Sequence, residues 1–196
     1  MKEVVIASKN SGKITEIAAA LAHLPVKVVS LADFGEVAEA VEDGSTFAEN
    51  ALIKAKYYSN FTGKACLADD SGLEVDALNG APGVYSARYA GENASDSENN
   101  KKLLENLKDE DCRTARFRCS LVFYDINGEV LSTDGVCEGV LLNEPRGNGG
   151  FGYDPLFLIP NLDKTLAEIS INEKNAISHR GAALRSMAEK MAVYLK

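Results

Sequence analysis

Residues 115–123 place Ala115, Phe117, Cys119, Leu121 and Phe123 on alternate positions, with Arg116, Arg118, Ser120 and Val122 between them. Period two over nine residues predicts a strand with one core face. Asn127-Gly128 follows, a pair suited to a tight hairpin turn, and predicts a partner strand near residues 129–138. A hairpin of that length commits the chain to a sheet, and the remaining elements have to be built around it.

Those elements interleave. Residues 4–7 and 26–29 read as buried strands, and 65–68, 73–75 and 156–159 as short ones. Ile14, Ile17, Leu21 and Leu24 fall at helical spacing before Pro25. Thr46-Phe47-Ala48-Glu49 is a capping box opening a helix to about residue 59, and Ser95-Asp96-Ser97-Glu98 is another. Ser178 can cap a last helix carrying Leu184, Met187, Met191 and Leu195. Residues 31–43 are acidic and ambiguous, and 81–91 and 147–153 are loops. Alternating strands and helices with one long hairpin predict an α/β fold on a mixed sheet. No linker or repeat interrupts the chain, so residues 1–196 read as one domain.

The 29 acids against 21 Lys and Arg leave a net charge of −8, which argues against non-specific nucleic-acid binding. A small anionic ligand remains compatible, because a pocket can be basic on an acidic protein. No segment has the apolar length of a membrane span. Cys66, Cys112, Cys119 and Cys137 show neither CxxC nor zinc spacing, and read as reduced thiols of a cytoplasmic protein.

The chemistry concentrates in loops. Asp69-Asp70 end the apolar run 65–68, with a turn expected at Ser71-Gly72. Buried acids need a cation, and Mg²⁺ is a natural one, taking one or two carboxylates plus substrate phosphates. Ser8-Lys9-Asn10-Ser11-Gly12 joins a strand to a helix start, where free N–H groups suit a phosphate; a solvated loop is the equal alternative. Lys13 in the first helical turn opposes the dipole, a conflict that a bound anion would remove. The run is not a Walker A motif, because Ala7 and Ile14 occupy two of its defining positions. Gly147-Asn148-Gly149-Gly150-Phe151-Gly152 satisfies GxGxxG only as a string, since it follows Pro145-Arg146 and precedes Tyr153-Asp154-Pro155 rather than a helix. It reads either as a tight turn or as a loop offering Phe151 or Tyr153 to a base. Lys54 reaches phosphate or faces solvent, Glu49 is a capping residue, and His179 beside Arg180 and Lys174 suits a polar anionic ligand. His23 reads as a surface residue.

Six blocks together resemble the inosine triphosphate pyrophosphatase family, the noncanonical purine NTP pyrophosphatases. They are Ser8 to Lys13, Gly44 to Ala51, Ala68 to Leu73, Gly83 to Tyr89, Gly149 to Pro155 and Ser178 to Gly181. Each is weak alone; all six in the family's order span nearly the whole chain. The resemblance implies an elongated α/β protein with a central mixed sheet, two lobes and a cleft, usually a homodimer. It implies Mg²⁺-dependent hydrolysis of ITP, dITP and XTP to the monophosphate and pyrophosphate. Carried onto this sequence, Ser8, Lys9, Asn10, Ser11, Gly12, Lys13 and Lys54 would hold the triphosphate. Asp70 would accept the water's proton and share the metal with Glu42, with Asp69 in support. Ser71, Phe151, Gly152, Tyr153, Asp154, Lys174, His179 and Arg180 would line the substrate pocket. The alternatives are a pyrophosphatase of related fold acting on other modified nucleotides, a binding protein without activity, and a partner-binding module.

Overall fold

Val4, Val5 and Ile6 are fully buried, with no polar alternation, because both faces of their strand are covered. The computed structural model describes residues 1–196, and this strand, β1 (Lys2–Ile6), lies between two parallel neighbours. β2 (Val26–Ser30) pairs Val28 with Val4, and β3 (Ala65–Val75) pairs Ala65 with Val4. Parallel neighbours need crossovers. Helix α1 (Ser11–Leu21) connects β1 to β2, and α2 (Phe47–Thr62) precedes β3. The order is β2-β1-β3-β4-β5-β6-β7, with β4 at Thr114–Tyr124, β5 at Val130–Leu141, β6 at Phe157–Ile159 and β7 at Lys164–Thr165. The last two pairings, β5 with β6 and β6 with β7, are antiparallel, so the sheet is mixed as expected.

The chain resolves into two compact units. The first comprises residues 1–70, 119–135 and 180–196. Strand alternation divides its core into two layers. Val4, Ile6, Leu67, Leu121 and Phe123 pack with Ile17 and Leu21 of α1 and with Leu184, Met187 and Met191 of α5 (His179–Tyr194). Val5, Ala7, Cys66, Ala68 and Val122 pack with Ala51, Ala55 and Tyr58 of α2. The second unit comprises residues 71–118 and 136–179. Its core joins Leu73, Val75, Phe117, Leu141 and Phe157 to Leu103 and Leu107, at the end of α3 (Asp96–Asn106).

The structure corrects several expectations. Residues 65–75 form one strand of 11 residues, with no turn at Ser71-Gly72. The acids therefore sit inside the strand; cationic side chains meet them there, so the ladder need not break. The alternation in β4 is not one-faced throughout, since Val122 is buried against the second layer. An unforeseen helix, α4 (Ile171–Ile177), opens on a Ser170–Glu173 capping box, and Ser178 lies between its end and α5. Cys112 is exposed, while the other three cysteines are buried. The hairpin turn stands: Gly128 adopts φ +88° and donates its N–H to the Asp125 carbonyl. No helix is long and apolar enough to cross a membrane.

Candidate active site

Asp69 and Asp70 are neighbours on β3, so the pleat sends them to opposite faces. Asp69 shares the Leu67 face with α1 and α5. Its Oδ1 lies 3.1 Å from Lys13 Nζ and its Oδ2 3.1 Å from Arg180 Nε. Glu16 of α1 pairs in turn with Arg180 Nη1. Burial alone would push the Asp69 carboxyl up; the charges of Lys13, Arg180 and Lys54 outweigh it and hold the group well below the usual carboxylate range. Arg180 is likewise held fully charged, its burial outweighed by Asp69, Cys119 and Glu16.

Asp70 shares the Ala68 face with α2. Lys54 Nζ stands 2.9 Å from Asp70 Oδ1 and 3.1 Å from Glu42 Oε2, so one buried ammonium joins two carboxylates. Gly44 N–H donates to the buried Asn50 side chain at 2.8 Å, which ties the loop carrying Glu42 to α2. A Cβ on Gly44 would lie 2.7 Å from Asn50 Oδ1, so only glycine permits this approach. Asp70 Oδ2 is buried without a hydrogen-bond partner. Burial pushes this carboxyl up, against the opposing pull of Lys54. Lys54 is pushed the other way by its own burial, yet Asp70, Asp69 and Glu42 outweigh it and keep it charged. Glu42 and Asp70 are the oxygen donors here that a hard divalent cation would accept.

The expected phosphate loop lies in the same unit. Asn10 caps α1, its Oδ1 accepting the Lys13 N–H at 3.0 Å, and its own N–H donates to Ser8 Oγ at 3.1 Å. Ser11 and Gly12 form the first turn, whose amides have no partner within the helix ladder. Lys9 makes an exposed pair with Glu39. The misplacement of Lys13 against the dipole is answered by Asp69, without any ligand.

The second unit gathers the remaining predicted residues. Asp154 Oδ2 accepts from Lys174 Nζ at 2.6 Å and from the Phe151 N–H at 2.9 Å. The Lys174 ammonium also stands 4.3 Å from the Phe151 ring centre. Gly152 donates its N–H to Asp96 and its carbonyl accepts from Asn100 Nδ2, so α3 clamps the glycine loop through both peptide units that flank one residue. Of the two rings considered for stacking, Tyr153 is in the core and donates its hydroxyl to the Ser86 carbonyl at 2.8 Å. Phe151 is only half-buried and is the ring left to offer. His179 is buried and stacks on Phe117, with centroids 4.7 Å apart and planes 13° apart. Ser71 is half-buried on β3.

Glu16, Asp96 and Asn100 were not among the expected site residues. No local spacing signals them: Glu16 meets Arg180, 164 residues on, and Asp96 and Asn100 reach Gly152 from more than 50 residues away.

An open mixed sheet covered by helices, with two adjacent buried carboxylates on one strand each paired to a lysine, defines an α/β protein whose buried ionic groups gather on that strand. The Ham1 family profile matches residues 4–190, and the chain belongs to that family. A protein of Desulforamulus reducens named dITP/XTP pyrophosphatase is 52% identical over 95% of this chain and 94% of its own. A namesake in Geobacter sulfurreducens is 51% identical over 97% of each. Among solved structures, a HAM1 protein from Coxiella burnetii aligns with TM-score 0.88 and 47% identity, covering 97% of this chain and 98% of its own.

Proposed function

We propose that the chain hydrolyses deaminated purine nucleoside triphosphates (ITP, dITP and XTP) to the monophosphate and pyrophosphate. The relatives' names and the family membership support this reading. The observation that carries it in the site is Asp70: a buried carboxylate with one oxygen on Lys54 and the other without a protein partner.

In this reading water attacks the α-phosphorus as pyrophosphate leaves. Asp70 accepts the water's proton, and its burial makes it a stronger base than an exposed aspartate. Lys13, Lys54 and the amides opening α1 neutralise phosphate oxygens, so catalysis is positioning and charge stabilisation without a covalent intermediate. The donor set fits Mg²⁺, which takes few protein carboxylates and keeps the rest of its shell for water and phosphate; Glu42 and Asp70 would hold it. When bound, the metal supplies charge neutralisation at the phosphates.

Phe151 offers the ring for the base, with Gly152, Tyr153, Asp154, Lys174 and Ser71 shaping its surroundings. Selectivity follows if donors face O6. Adenine would present N6–H₂ there and leave a donor unpaired, at about 1–3 kcal/mol. His179 and Arg180 complete this part of the reading. Homodimeric assembly and a cytoplasmic location are part of the same proposal.

The test is pyrophosphate release from ITP against ATP and GTP, with and without Mg²⁺. Asp70→Asn is expected to abolish turnover while substrate binding stays measurable. Near-normal turnover of that variant overturns the assignment of the base.

A further inference from the structure

Four buried or nearly buried charges alternate in sign across three elements: Glu16 and Lys13 on α1, Arg180 on α5 and Asp69 on β3. Side-chain exposures are 3% for Glu16, 2% for Arg180, 1% for Asp69 and 18% for Lys13. Only Lys13 reaches solvent appreciably, at the phosphate loop. We infer that Glu16 is a positioning residue that sets the phosphate-binding posture of Lys13 through Arg180 and Asp69. The inference rests on the proposed reading of Lys13 as a phosphate ligand.

The reasoning is electrostatic. The four charges sum to zero; within the set Arg180 meets two acids and Asp69 two cations, and Asp69 Oδ2 also accepts from Cys119 Sγ at 3.9 Å. Glu16 occupies one Arg180 nitrogen, leaving Nε for one oxygen of Asp69; the other Asp69 oxygen is thereby left to Lys13. Without the Glu16 charge, Arg180 has Asp69 as its one remaining acid among these four and competes with Lys13 for both oxygens. Lys13 then loses the anchor that fixes its ammonium beside the loop. Asp70, Lys54 and Glu42 belong to the other face of β3 and keep their direct pairs.

Glu16→Gln tests this while preserving side-chain volume. KM for ITP should rise about tenfold, the scale of one charge-assisted contact, with kcat within about threefold. Pyrophosphate affinity measured by calorimetry should fall in parallel. In a Lys13→Met background, adding Glu16→Gln should change KM no further. Glu16→Asp, with its charge kept on a shorter chain, should fall between wild type and Gln. A purely structural role would lower the melting temperature and leave KM unchanged, and that result overturns the inference. If Lys13→Met raises KM and Glu16→Gln does not, the relay fails and the phosphate site stands. If Lys13→Met leaves KM unchanged, the phosphate reading of Lys13 fails and the relay with it. Should Glu16→Gln not fold, Glu16→Asp decides alone: KM raised severalfold at constant kcat supports the relay, and unchanged KM overturns it.

Discussion

Lys54 joins Glu42 and Asp70 from the middle of α2, where a lysine ordinarily faces solvent. Its ammonium offsets the repulsion between the two carboxylates. Lys54→Met should therefore cost about 1.5–3 kcal/mol, the value of a charged hydrogen bond, read as a lower urea midpoint. Turnover of ITP should fall at least about a hundredfold, because the cation that holds the proton acceptor Asp70 beside Glu42 is lost with it. Arg180→Ala should raise KM for ITP; unchanged kinetics would remove Arg180 from the site. The identity of these residues was legible in the sequence, but their partners were not. Asp69-Asp70 reads as one acidic pair, whereas the pleat gives each a different face and a different set of cations.

At the level of elements, α4 and the glycine loop hold the Phe151 ring between them, through Lys174 and Asp154. The Ser170 hydroxyl accepts the Glu173 N–H, and the Glu173 carboxylate returns to Ser170, which fixes the start of the helix that delivers Lys174. Ser170→Ala should cost about 1 kcal/mol and raise KM more than it lowers kcat, checked by denaturation and steady-state kinetics. Gly150 has φ +70°, and a Cβ there would stand 2.2 Å from Asp154 Oδ2. Gly150→Ala should then force Asp154 off Lys174 and Phe151, with a stability loss above about 1 kcal/mol and weakened ITP binding. Four capping boxes stand in the structure, at Ser30, Thr46, Ser95 and Ser170. Those at Thr46 and Ser95 were read directly, because a cap is a local signal. The one at Ser170 carries the same spacing in Ser170-Ile171-Asn172-Glu173 but opens a helix of only seven residues, too short to show a periodic apolar face. The length of β3 is not local in the same way: Asp-Asp-Ser-Gly has turn chemistry in sequence, and tertiary ion pairs override it.

On the scale of the molecule, the first unit ties the start of the chain to its end. Lys2 of β1 and the Tyr194 hydroxyl of α5 both bond the buried Asp125 carboxylate at the hairpin. Burial would push Asp125 up, but those bonds prevail and hold it below its ordinary value of 3.8. The stabilisation is therefore present above that value and lost as pH falls through the lower folded value. Asp125→Asn should lower the melting temperature by several degrees at pH 7, corresponding to about 1.5–3 kcal/mol, and the difference from wild type should shrink towards pH 3. Equal differences at both pH values would show that the charge is not the cause. By itself the sequence determined the α/β class, the mixed sheet, the hairpin and the local caps, because periodicity and turn chemistry act over a few neighbouring residues. Only the tertiary structure decided which face of β3 each aspartate takes, that Glu16 lies under Arg180, and that Tyr153 is core while Phe151 is not. Those outcomes depend on charges and side chains brought together from distant parts of the chain, whose pairing no local pattern encodes.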